Sequence, residues 1–142
     1  MLERAEQRRL ASVHAERISL ALGDAKRIQF PDGTFDAVLS NTILHHIPDP
    51  RPFLAEAHRV LRPGGTLLIR DLFRPADSQT VARLVDLHAA QATPDQRELF
   101  RASLCAAFTA DELRDLLAEL GLGDVEVVID TDRHLSIQRR AS

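Results

Sequence analysis

Two short apolar runs, Phe35 to Asn41 and Thr66 to Ile69, flank a segment in which Phe53, Leu54, Ala57, Val60 and Leu61 recur at helical spacing. A short run of strand length without polar alternation suits a strand buried on both faces, and such strands belong to parallel sheets. Parallel neighbours require a crossover connection, which is usually a helix. This strand-helix-strand succession constrains the chain to an α/β architecture, with a largely parallel sheet covered by helices.

The turn residues agree with that reading. Pro31-Asp32-Gly33 marks a turn before the first run, while Pro50 and Pro52 precede the helix and Pro63-Gly64-Gly65 stops it. Upstream, residues 1 to about 14 read as the tail of a helix, with Leu2, Ala5 and Arg9 on one stripe. Ile18, Leu20 and Leu22 then alternate with Ser19 and Ala21 before Gly23-Asp24, the two-residue period of a strand over residues 17 to 22. Downstream, Asp77-Ser78 caps a helix bearing Val81, Leu84 and Val85, and Pro94 divides that region into two helices. Thr109 and Glu112 have capping-box spacing before Leu113, Leu116, Leu117 and Leu120, whose stripe reads as core, and Gly121 stands at the left-handed cap. Val125, Val127 and Ile129 predict a strand, with His134 to Gln138 pairing back antiparallel. No repeat or linker interrupts the chain, so residues 1–142 read as one domain.

Composition narrows the partners. Twenty-one acidic against eighteen basic residues leave a formal charge of −3, which disfavours nucleic acid and anionic lipid. The six Phe, with no Trp or Tyr, provide no stacking platform for single-stranded nucleic acid. The charged start of the chain is neither a signal-peptide core nor a membrane span. Cys105 is the only cysteine, so it forms no internal disulfide and begins no zinc cluster, which fits a cytoplasmic protein.

Ligands of open α/β sheets bind beyond the carboxyl ends of the strands. Here those ends are Gly23-Asp24, Asn41 to His46 and Arg70-Asp71. A carboxylate such as Asp24 can accept from an amine or stabilise its own turn. Asn41 can present its amide to a crevice or cap its strand. His45 and His46 are candidate proton acceptors near neutral pH. Adjacent histidines on an extended segment point to opposite sides and no further ligands cluster nearby, so no metal site is expected. Arg70 and Asp71 read either as lining for a substrate or as a solvated surface pair, and His134 as an ordinary strand residue.

The succession Gly23-Asp24-Ala25, Phe30-Pro31-Asp32-Gly33-Thr34-Phe35-Asp36-Ala37-Val38, Leu44-His45-His46 and Arg59-Val60-Leu61-Arg62-Pro63-Gly64-Gly65 resembles the class I S-adenosylmethionine-dependent methyltransferase family. The likeness is most specific over residues about 15 to 72 and extends in kind over the remainder. It implies a Rossmann-like three-layer sandwich, with a mostly parallel sheet and a final antiparallel strand. It further implies S-adenosyl-L-methionine as cofactor, with Asp24 on the adenine amino group, Ala25 beside the ring, Asn41 and Leu44 at the crevice, and His45 near the methionine part. His46 is then structural. The acceptor implied is a small molecule, met by residues 72 to 110.

The family begins with a strand, a glycine-rich turn opening a helix, and a second strand ending in an acidic residue. None of these is recognisable in this sequence, which holds no Gly-x-Gly-x-Gly pattern. The resemblance therefore implies a domain entered about a third of the way in, lacking the first two strands. In the family order those strands lie between the strand at 17 to 22 and the one at 35 to 40. Ile18, Leu20 and Leu22 would then be roughly three strand spacings of about 4.8 Å from their neighbour. Two functional classes follow: part of an enzyme that methylates a small molecule, or a non-catalytic binding module completed by another chain or a second copy. A generic dinucleotide-binding protein is weaker, since its own fingerprint is absent too.

Overall fold

Capping chemistry delimits the helices. The computed structural model describes residues 2–140. It contains α1 (Leu2–Leu10), α2 (Arg51–Arg59), α3 (Ser78–His88), α4 (Pro94–Ala106) and α5 (Ala110–Glu119). Asp77 accepts from the Thr80 amide at 2.7 Å to start α3, and Thr93/Gln96 and Thr109/Glu112 form reciprocal capping boxes at α4 and α5. Each such cap stabilises its helix by roughly 1 kcal/mol. Gly121, at φ +70°, takes the left-handed position that follows α5. Of the helix tail expected over residues 1 to about 14, α1 accounts for Leu2 to Leu10, and Met1 lies outside the described residues.

Four strands, β1 (Phe35–Asn41), β2 (Leu61–Leu72), β3 (Glu126–Ile129) and β4 (His134–Arg139), form one sheet in the order β1-β2-β4-β3. β1 pairs parallel to β2, while β4 runs antiparallel to both β2 and β3. Three strands thus point one way and the last opposes them. The parallel pairing of β1 with β2 places their carboxyl ends side by side, where Asn41 pairs with Arg70.

One buried cluster joins Leu44, Phe53, Leu54 and Ala57 to Leu67 and Ile69 of β2, Leu135 and Ile137 of β4, and Leu113 and Leu117 of α5. Burying a Leu, Ile or Phe side chain is worth about 1.5–3 kcal/mol, so this cluster holds α2 and α5 to the sheet. A second cluster, Leu72, Val81, Leu84, Val85, Leu104 and Ala107, binds α3 and α4 to the end of β2.

Three expectations need correction. Residues 18–23 form no strand: the segment is outside any ladder, with Ile18, Leu20 and Leu22 38%, 41% and 85% exposed. Among the described residues no strand lies alongside to satisfy its backbone, and alternation alone cannot hold a strand without a partner. β1 is not buried on both faces, because its only described neighbour is β2, and Leu39 is left 69% exposed. Finally, β2 begins at Leu61 rather than after the Pro-Gly-Gly turn. Its pairing with β1 shifts between Phe35↔Leu61 and Ala37↔Thr66, so Arg62 to Gly65 bulge out of register within the strand.

Gly65 is fixed by that bulge, since a Cβ there would lie 2.7 Å from Leu61 Cδ1 and 2.8 Å from the Asp36 carbonyl oxygen. Backbone oxygen cannot yield as a side-chain tip does. Gly65→Ala should lower the free energy of unfolding by about 1–3 kcal/mol in urea titrations. Gly123→Ala, whose Cβ would meet nothing within 4 Å, is the control.

Candidate cofactor site

The Asp24 turn closes on itself. The Lys26 amide and the Lys26 ammonium both donate to Asp24 Oδ1 at 2.9 Å, and these bonds hold the carboxyl below its ordinary value. Asp24 Oδ2 has no partner among the described residues and remains free to accept. Ala25 packs against the buried cluster that includes Leu44, and a hollow of about 390 Å³ opens between Ala21–Ala25 and Ile28–Phe30.

This loop is clamped to α2. The Ile28 amide donates to Glu56 Oε2 at 2.7 Å, while Arg59 donates to the carbonyls of Ile28 and Phe30 at 2.9 Å each and to Asp32 at 2.6 Å. Arg59 also grips Glu56 through two bonds of 2.7 and 2.9 Å. The Arg59 bonds, with the Ile28 amide, hold the Glu56 carboxyl at about 2, and in return the guanidinium is raised further above its ordinary range. A helical i, i+3 acid–base pair thus becomes the anchor for the irregular backbone from Ile28 to Asp32.

The second half of the site follows β1. Asn41 ends the strand, and Thr42 enters the left-handed region at φ 57° while its amide donates to the Arg70 carbonyl at 2.9 Å. A β-branched residue pays a steric penalty there, so neighbouring contacts must fix it. They converge on Asp71, whose side chain is 1% exposed. Its Oδ2 accepts from the Leu44 amide at 2.6 Å, and its Oδ1 from the Leu72 amide at 2.7 Å. The same Oδ1 meets His45 Nδ1 at 2.5 Å. Residues Leu44–His46 form a short 3-10 turn against β2 and α4.

Of the expected residues, the structure places Asp24 and Ala25 on one loop and Asn41, Leu44 and His45 on the other. Ala25 and Leu44 meet in a common core, but hydrogen bonding does not join the loops, since Asp24 bonds to Lys26 and His45 to Asp71. Two corrections concern side chains. Asp71 is not a surface residue but a buried one. The histidines do not splay apart, because the 3-10 turn stacks their rings with centroids 3.9 Å apart. Among the described residues no group of three His, Cys, Asp or Glu could hold a metal ion. Glu56 carried no recognisable signal, whereas its partner Arg59 stood within the recognised motif.

Residues 1–69 match a family model described as a methyltransferase domain. The match takes in 69 of the chain's 142 residues, just under half. The match contains all five expected site residues and stops two positions short of Asp71. The chain is 34% identical over 94 residues to the mitochondrial 2-methoxy-6-polyprenyl-1,4-benzoquinol methylase of Rattus norvegicus, covering 66% of this chain and 28% of that one. It is 39% identical over 70 residues to the 27-O-demethylrifamycin SV methyltransferase of Amycolatopsis mediterranei, covering 49% and 26%. This chain thus spans about a quarter of the length of these relatives. A solved Methanococcus maripaludis structure, proposed to be an S-adenosyl-L-methionine-dependent methyltransferase, matches with TM-score 0.71 at 18% identity, covering 99% of this chain and 62% of that one. The α/β fold of that enzyme class therefore extends over the whole described chain.

The Glu56 clamp has a definite pH dependence. A carboxyl held at about 2 in the folded chain, against an ordinary value of 4.5, contributes stability that is complete above the ordinary value and is lost as pH falls from there toward 2. The urea midpoint should therefore fall between about pH 6 and about pH 3, and fall less in Glu56→Gln. An equal fall in both proteins would show that the clamp adds nothing.

Proposed function

We propose that this chain is part of an S-adenosylmethionine-dependent methyltransferase that methylates a small molecule, and that residues 1–142 form one partial domain of it. The observation that carries the reading is the family match over residues 1–69, which spans both loops of the candidate site. The names of the quinol and rifamycin methylases support a small-molecule acceptor. No helix among the described residues is long and apolar enough to cross a membrane, and we place the protein in the cytoplasm.

The residues present suit the adenine side of the cofactor. Asp24 Oδ2 offers an acceptor to an exocyclic amine, and Ala25 leaves room for a flat ring. Asn41, Leu44 and His45 border the methionine side. When bound, S-adenosylmethionine supplies a methyl group already activated on a sulfonium. The protein's share is orientation and exclusion of water. The Asp71 carboxylate fixes the turn carrying Leu44 and His45, and the Glu56–Arg59 pair fixes the loop carrying Asp24.

A second reading rests on β1. Its outer edge has no described partner and Leu39 is 69% exposed, which favours a binding module completed by another chain or by a second copy.

The sequence contains no glycine-rich turn to hold the ribose and carboxylate of the cofactor. Losing two charge-assisted hydrogen bonds, at about 1.5–3 kcal/mol each, weakens binding about a hundredfold or more, so the isolated chain should bind with a millimolar constant at best. In an NMR titration with S-adenosylhomocysteine, the amides of residues 23–25 and 41–45 should shift while those of α3 do not. Shifts confined to other regions, or none near saturation of the ligand's solubility, would overturn the cofactor assignment.

A further inference from the structure

His45 and Asp71 form a pair that methyl-donor binding alone does not require. The imidazole is 5% exposed and the carboxylate 1%, yet they meet at 2.5 Å, and Asp71 is held from two other directions by the Leu44 and Leu72 amides. An ionised carboxylate only accepts, so His45 Nδ1 must be the donor, and in the neutral ring Nε2 then carries the lone pair. Nε2 has no hydrogen bond within the chain, and no buried polar side-chain atom among the described residues is left unpaired. Nε2 therefore reaches solvent while the rest of the ring is enclosed. It does so just past the carboxyl end of β1, beside the end of β2 and against α4, where ligands of such sheets bind.

We infer that His45 is a general base for an acceptor that must lose a proton, a hydroxyl of phenolic type, and that Asp71 is its positioning residue. The inference rests on the methyltransferase reading. As the acceptor oxygen bonds to the methyl carbon and the carbon–sulfur bond breaks, the O–H electron pair stays on oxygen and the proton passes to Nε2. The products are a methyl ether, a neutral thioether and an imidazolium facing the Asp71 carboxylate, which later releases its proton to water. Asp71 acts through orientation: its two backbone donors prevent the carboxylate from turning away, so the ring cannot adopt the other tautomer without losing a buried bond. The His46 ring lies beside that of His45, with centroids 3.9 Å apart and planes tilted by 43°.

The test is made on the 142-residue chain with histidine ring nitrogens labelled, using catechol as the phenolic probe. Long-range nitrogen–proton NMR should show Nδ1 of His45 protonated and Nε2 bare. Millimolar catechol should move the Nε2 resonance upfield by several ppm, as expected when a bare ring nitrogen accepts a hydrogen bond. Asp71→Asn, whose amino group must oppose either the Leu44 or the Leu72 amide donor, should release the ring from its single tautomer and weaken the response. His46→Gln should leave the tautomer and the response at His45 intact. In the parent chain catechol should also shift the backbone amides of residues 44–46, and a His45→Gln variant, which keeps the Asp71 bonds to Leu44 and Leu72 in reach, should lose that amide shift. It also tests the site if Asp71→Asn does not fold. Protonated Nε2 in the parent chain overturns the proposal, as does absence of a catechol shift, since a merely structural pair would not move. A cofactor titration that succeeds while catechol fails removes this proposal alone. A failed cofactor titration with the catechol response intact removes the methyl-transfer reading and the ether-forming step with it.

Discussion

A buried carboxylate must be satisfied on every side or it destabilises whatever surrounds it. Asp71 meets that demand by collecting the Leu44 amide, the Leu72 amide and the His45 ring at the point where two parallel strands end. It thereby ties a loop leaving β1 to the end of β2, across 27 positions of sequence. With it, the turn that buries Leu44 gains two side-chain anchors beyond its own backbone bonds and the Thr42 amide's bond to the Arg70 carbonyl. Leu44 in turn belongs to the cluster that seats α2 and α5 on the sheet. The Leu44–His45 half of the candidate site and the core cluster thus meet at one residue, Leu44.

The loop bearing Asp24 is secured by different means. There the partners are partly exposed, and strength comes from number: Arg59 spends its donors on two carbonyls and two carboxylates. Exposed ion pairs are individually weak, but a guanidinium shared among fixed backbone acceptors loses little further entropy with each bond. One half of the site is therefore held by burial and the other by a polar net.

Much of the fold was legible because its signals are local. The capping box at Thr109 and the cap at Asp77 act within four residues, and the strands of the last third alternate plainly. The failures are non-local. Ile18, Leu20 and Leu22 have a strand's alternation, but a strand exists only with a neighbour to pair with. The apolar run of β1 implied two covered faces, and Leu39 stands in solvent instead. The family resemblance supplied all five proposed contacts, yet for Asp71, next to a charged Arg70, the sequence left substrate lining and a solvated surface pair both open. Its burial follows from β2 being flanked by β1 and β4, a fact of sheet order that no local pattern carries. The stacking of His45 on His46 was hidden likewise, since it depends on a 3-10 turn rather than an extended backbone.

The stretch from Ile18 to Gly23 has a consequence for the lifetime of the chain. It lies outside any helix or ladder and carries three exposed aliphatic side chains. Proteases bind their substrates in that conformation, pairing with unpaired backbone and seating apolar side chains in their subsites. Elsewhere, cleavage must wait for local opening, but here the segment is already presented. Degradation would therefore begin between α1 and the Asp24 loop, severing α1, which buries none of its residues, while the sheet and both core clusters remain whole.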